Sequence, residues 1–185
     1  MRLAALLSLL LLPLAACDTS GVDAPGERVV ELGTFDIDPR GTYLRTHADT
    51  ANAPTTIDLA ALGVRPGDSL FVRILGEADL DPSASVGGRP GAASFSTLGV
   101  FSTSAAVAAS DSLTRIPGAV DVPGEIYTGP TAIGALPTDI PEDVQVNRGA
   151  FRVPPGATTL FLSPNDQFFS DNLATTFTAT LATRR

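Results

Sequence analysis

The stretch "TTFTATLAT" (175–183) sets Phe177, Ala179 and Leu181 against Thr176, Thr178 and Thr180 in strict alternation. A period of two gives an extended strand one apolar and one hydroxyl-bearing face, and it fits no helix. A second run, "VRPGDSLFVRIL" (64–75), places a Pro-Gly turn before a strand whose Leu70, Val72 and Ile74 share one face, with Arg73 on the other. Fifteen Pro and seventeen Gly punctuate the chain at short intervals, and no window of a dozen residues carries a 3.6-residue apolar period. The pattern predicts strands near 29–36, 41–46, 55–59, 68–76, 94–102, 125–129, 144–153, 157–163 and 175–183. The fold class that follows is all-β, a single antiparallel β-sandwich of about eight or nine strands. "TSAAVAAS" (103–110) is the one candidate for a short helix, and 77–93 reads as a long surface loop.

The first sixteen residues stand apart from this pattern. Arg2 precedes "LAALLSLLLLPLAA", an apolar stretch too short and too interrupted by Pro for a membrane span. It ends in "LAAC" (14–17), which resembles the lipobox of bacterial lipoproteins. The resemblance implies cleavage before Cys17, a diacylglycerol thioether on its sulfur and an acylated new N-terminus. Several acyl chains anchor stably, since each buried methylene contributes about 0.8 kcal/mol. The expected organisation is a lipoprotein signal peptide at 1–16, a lipidated tether at 17–28 and a β-sandwich domain at 29–185. The expected location is a bacterial membrane, either the outer membrane and cell surface or the periplasmic face of the inner membrane. Asp18, next to Cys17, favours inner-membrane retention in some bacteria.

Cys17 is the only cysteine, so the mature chain closes no internal disulfide and depends on an apolar core. About 165 residues suffice for one domain. Acidic residues number 20 against 12 basic ones, all of them Arg. An acidic balance with no basic run argues against nucleic acid and against anionic lipid head groups as partners. It is compatible with divalent cations.

Two stretches carry a family resemblance. "LAALGVRPGDSLFVRILGEADL" (59–80) and "FRVPPGATTLFLSPNDQFFSDN" (151–172) resemble the two halves of galactose-binding-domain-like β-sandwiches, including calcium-dependent galactophilic bacterial lectins. The segments 98–120 and 136–146 are similar to uncharacterised secreted bacterial proteins of the PEP-CTERM type. The lectin resemblance implies a jelly-roll-like sandwich whose loop before the last strand gives an Asp and a later acid–amide pair to Ca²⁺. Here those positions are Asp166, Asp171 and Asn172. The spacing between them is shorter than in the lectins, and "LATT" follows the pair where Ser-Gly is usual.

Ca²⁺ takes about six to eight oxygens, so a second loop has to complete the shell. Glu77, Asp79 and Asp81 are the candidates. An aromatic face for a sugar ring would come from Phe168, Phe169 or Tyr127, there being no Trp. The other reading of 163–172 is a hairpin loop whose Asn and Asp bond their own backbone.

Elsewhere, "TDIPED" (138–143) reads either as a capped turn or as a cation site formed by Asp139, Glu142 and Asp143. His47 is the only histidine, and no nucleophile motif accompanies it. The expected function is therefore a non-catalytic, lipid-anchored binding module of the envelope, Ca²⁺-stabilised and glycan-binding. The alternative is a structural or protein-interaction sandwich with no metal or sugar site.

Overall fold

The computed structural model describes residues 28–46, 49–76, 78, 80, 97–122, 140–146, 149–166, 168–173 and 177–185, with the backbone of 132–133 and 136–137. The strands are β1 (Val29–Ile37), β2 (Thr55–Asp58), β3 (Ser69–Leu75), β4 (Thr97–Ser102), β5 (Ala119–Val120), β6 (Ala132–Ile133), β7 (Leu136–Pro137), β8 (Val144–Gln145), β9 (Ala150–Arg152), β10 (Thr159–Pro164) and β11 (Phe177–Arg184). A four-stranded sheet runs β1-β11-β3-β9, and a five-stranded sheet runs β2-β10-β4-β5 with β8 also paired to β4. Both are antiparallel and pack as a β-sandwich; β6 and β7 form a separate two-stranded sheet.

The alternation read from the sequence sets which side chains meet between the sheets. Phe177, Ala179 and Leu181 of β11 point inward, opposite Ile37, Phe35 and Gly33 of β1. Leu70, Val72 and Ile74 of β3 join them, and Arg73 is on the exposed side. From the other sheet come Ile57, Phe101, Leu160 and Leu162. Burying each such large side chain contributes about 1.5–3 kcal/mol. Gly99 leaves room for its neighbours, since a Cβ there would lie 2.4 Å from Cγ1 of Val146.

Three expectations change. Residues 41–46 form no strand, only an isolated parallel bridge between Gly41 and Asn52. The close approach there needs glycine: a Cβ on Gly41 would sit 2.6 Å from the carbonyl oxygen of Ala53. The expected strand at 144–153 is two strands in different sheets, β8 against β4 and β9 against β3. Residues 103–110 form no helix. Their backbone is drawn into pairing with a neighbouring turn instead, as where the Ala108 amide donates to the Arg115 carbonyl at 2.7 Å. The strand expected at 125–129 lies outside the described residues.

The two sheets differ on their outer sides. Every residue of β4 and β10 is buried, so the five-stranded sheet is covered on both faces. Its cover is a second core: Tyr43 and Leu44 from the 38–54 loop, Ile116, Ile140 and Phe169 lie over Leu98, Val100 and Phe161. Among the described residues the outer face of the four-stranded sheet has no such cover along β1 and β3, where Glu31, Thr34, Asp36, Arg73 and Leu75 are exposed.

Candidate functional site

The acidic loop after β10 is held from the side by the 38–54 loop. The carboxylate of Asp49 accepts the Phe169 amide at 2.6 Å and the Ser170 amide at 3.3 Å. Burial raises its pKa, but bonds from the Ser170 hydroxyl and from the amides of Phe169, Ser170 and Thr50 together hold it below the ordinary carboxylate value. Asn172 is fully buried; its amide nitrogen donates to the Pro39 carbonyl at 2.7 Å. Arg40 returns the contact, its Nε donating to the Asn172 carbonyl at 2.8 Å. At the base, the Ser163 hydroxyl bonds that of Thr42 at 2.8 Å.

The candidate ligands of this loop therefore separate. Asp171 is exposed, Asp166 half-buried and Asn172 fully buried. The side-chain oxygens of Asn172 and Asn165 are both buried without a hydrogen-bond partner. Such amide oxygens are donors a hard cation accepts. Among the described residues no group of three acidic, His or Cys side chains is placed to hold a metal ion. Glu77, Asp79, Asp81, Tyr127, Asp139 and His47 lie outside the described residues, as do Cys17 and the 18–27 segment. The two phenylalanines part: Phe168 is 54 % exposed, whereas Phe169 is a core residue at 1 %. With its ring packed into the second core, Phe169 offers no face to a sugar.

The 38–54 loop is fastened on its other flank by Arg115. That side chain is buried, and its guanidinium donates to the carbonyls of Thr42 (2.8 Å), Leu44 (3.0 Å) and Ala108 (3.3 Å). Burial lowers its pKa from the ordinary arginine value. Beside it, Tyr43 is buried with no hydrogen-bond partner on its hydroxyl. Desolvation, then the nearby charge of Asp143, raise its pKa well above the ordinary phenol value. Asp143, one of the three acids of "TDIPED", is itself fully buried, and Pro141 and Glu142 form a turn there.

The open face of the four-stranded sheet is a different surface. Register places Glu31, Ala182, Phe71 and Ala150 in one row across it, and Thr34, Thr180 and Arg73 in the next. The guanidinium of Arg184 stands 5.3 Å from the centre of the half-buried Phe71 ring, a cation–π contact. The Thr34 and Thr180 hydroxyls bond each other at 3.1 Å. An open depression of about 550 Å³, lined by Val29, Glu31, Phe71, Arg73, Thr180 and Ala182, lies along this row. Its volume falls in the range of small-molecule sites.

No protein-family model, no curated protein and no solved structure matches the chain.

Residues that the sequence reading passed over hold the site together. Asp49 sits in "RTHADT" and Arg115 in "LTRIPG", and neither stretch carries a motif. Neither has a local signal for these roles, because Phe169 lies 120 residues from Asp49 and Thr42 lies 73 residues from Arg115. Phe71 and Arg73 are legible as outward positions of β3, but not as parts of one depression with Glu31 and Thr180.

Proposed function

We propose that this protein is a non-catalytic binding module, anchored through lipid on Cys17 to a bacterial envelope membrane, that takes a glycan on the open face of its four-stranded sheet. The observation that carries this reading is the inequality of the two sheets. Loops cover the outer face of the five-stranded sheet, whereas the other face presents Phe71 beside Arg73, Glu31 and Thr180. Aromatic carbon flanked by charged and hydroxyl groups suits a sugar ring, which has apolar faces and a rim of hydroxyls. The galactose-binding-like resemblance of 59–80 and 151–172 supports the same ligand class. It moves the expected site from the loop aromatics to the sheet.

Ca²⁺ enters this proposal as a stabiliser of the acidic loop. The unpaired oxygens of Asn165 and Asn172 are the donors that support it, with Asp166 and Asp171 the carboxylates next to them in sequence. The side chains of Glu77, Asp79 and Asp81 are the proposed complement.

A second reading is supported by Val29 (64 % exposed) and Leu75 (43 % exposed), which stand on the same open face. Exposed aliphatic side chains around a half-buried aromatic suit a protein partner. A glycan array probed with the wild type and Phe71→Ala, with and without chelator, separates these readings. Glycan binding lost in Phe71→Ala supports the sheet site. Binding lost only with chelator moves the site to the loop, and no glycan binding leaves the protein-interaction reading. For the cation, the measurement is melting temperature: a rise at millimolar Ca²⁺ that Asn172→Ala removes supports the loop site, and no rise rejects it.

A further inference from the structure

The arginines that are dispersed in the sequence gather at one end of the sandwich. Arg28 and Arg185 bond each other's backbones at 2.8 and 2.9 Å. Arg184 is the β11 partner of Val29, and Arg152 is the β9 partner of Ser69 at the start of β3. The turn that feeds β3 carries Arg65; its carbonyls accept Arg152 Nη1 at Gly67 (3.1 Å) and Arg185 Nη2 at Gly63 (3.3 Å). All five side chains are exposed. Neighbouring strands lie about 4.8 Å apart, so the row from β1 to β9 spans roughly 15 Å. The carboxylate side chains described near it are Asp68, which accepts the Arg65 amide at 2.8 Å, Asp58 at the end of β2, and Glu31 on the open face; the 18–27 segment that precedes Arg28 carries three further acids, Asp18, Asp23 and Glu27.

The opposite end has the reverse charge. β1 ends there just after Asp36 and is followed by Asp38, and the 38–54 and 165–172 loops add Asp49, Asp166 and Asp171 against Arg40 and Arg45. At about 3.3 Å per residue, β1 separates the two ends by roughly 26 Å. That is about three screening lengths at physiological salt, so a surface at the basic end barely feels the acidic one. A net charge of −8 thus conceals an uneven distribution of arginines between the two ends.

The chain outside the described domain joins at this same basic end. Only residues 18–27 separate Cys17 from Arg28, and ten residues span at most about 33–36 Å. We infer that the end carrying Arg28, Arg65, Arg152, Arg184 and Arg185 seats on an anionic phospholipid surface, with the acidic end turned away. The direction of approach rests on the lipid-anchor reading; the charge complementarity does not. It reverses the expectation from the sequence, in which no basic run opposes anionic head groups.

The test uses the mature chain with Cys17→Ser, so that no acyl chain holds it, and vesicles of phosphatidylcholine with or without phosphatidylglycerol. The expected result is preferential binding to the anionic vesicles that falls steeply with salt. An arginine near such a surface contributes roughly fivefold in partitioning. Arg65→Ala with Arg152→Ala should therefore weaken binding roughly 25-fold, while Arg73→Ala on the open face leaves it unchanged. Equal binding to both vesicle types overturns the inference, as does an equal loss in Arg73→Ala. Binding to a soluble anionic polysaccharide as tight as to vesicles replaces the lipid by a polyanion and also overturns it. The anchor is read separately from the mass of the natively processed N-terminal peptide. No acylation overturns the anchor alone, and acylation without anionic preference overturns the seating alone.

Discussion

The amide of Phe169 is held by the carboxylate of Asp49 at 2.6 Å, across 120 residues of sequence. One acid in the 38–54 loop thus decides where a phenylalanine of the acidic loop enters the second core. Asp49→Ala removes charged hydrogen bonds to two amides, and a loss of about 1–2 kcal/mol is expected in urea unfolding. The pH dependence has a definite sign. The folded pKa of Asp49 is depressed, so its contribution is present above the unfolded value of about 3.9 and lost as pH falls through the folded one. The wild type should lose this increment on acidification, and Asp49→Asn should show a shallower acid limb.

Tyr43 and Asp143 make the opposite case. The Tyr43 hydroxyl is buried without a partner, so Tyr43→Phe removes a desolvated polar atom and leaves the ring. Stability is expected to hold or to rise by up to about 1 kcal/mol. The folded pKa of Tyr43 is raised, so its ionisation leaves stability unaffected below the unfolded value of about 10 and lowers it progressively at higher pH. A denaturant series between pH 9 and 11 should show a steeper alkaline fall in the wild type than in Tyr43→Phe. A drop of several kcal/mol in the variant at neutral pH would contradict this.

Arg115 and Arg45 both donate to backbone carbonyls, but only one is buried. Arg115→Met strands three carbonyls under the 38–54 loop, for an expected loss of about 3 kcal/mol. Arg45 Nε reaches the Asp111 carbonyl at 3.1 Å in an exposed position, and Arg45→Met should change stability by less than about 0.5 kcal/mol. Comparable losses in the two variants would contradict the second core.

Gly99→Ala forces a methyl to within 2.4 Å of Val146 Cγ1, a branched side chain with little rotamer freedom. Overpacking of this kind costs about 1–3 kcal/mol. Adding Val146→Ala should recover part of that loss, giving a coupling energy of at least about 0.5 kcal/mol in a double-mutant cycle. Strict additivity would mean that the two residues do not meet.

Strands that alternate cleanly were legible from the sequence. The inward faces of β3 and β11 follow from Leu70, Val72, Ile74, Phe177, Ala179 and Leu181 alone, because period two is a local property. Residues 41–46 misled, since Tyr43 and Leu44 have strand-like side chains but bury them against the outside of a sheet. Their carbonyls go to Arg115 rather than to a neighbouring strand, and a guanidinium 71 residues away leaves no trace in a local window. The basic end escaped for the same reason. Only strand register brings positions 28, 65, 152 and 184 to one edge.

The mutual backbone bonds between Arg28 and Arg185 also fix how the domain carries mechanical load. A pull on Arg28 out of the basic end runs along β1, at right angles to the hydrogen bonds of the eight residue pairs that join it to β11. Those pairs are then sheared together rather than opened one by one. The strand nearest a tether is loaded in its stiffest direction, and a sideways pull would peel it from the edge.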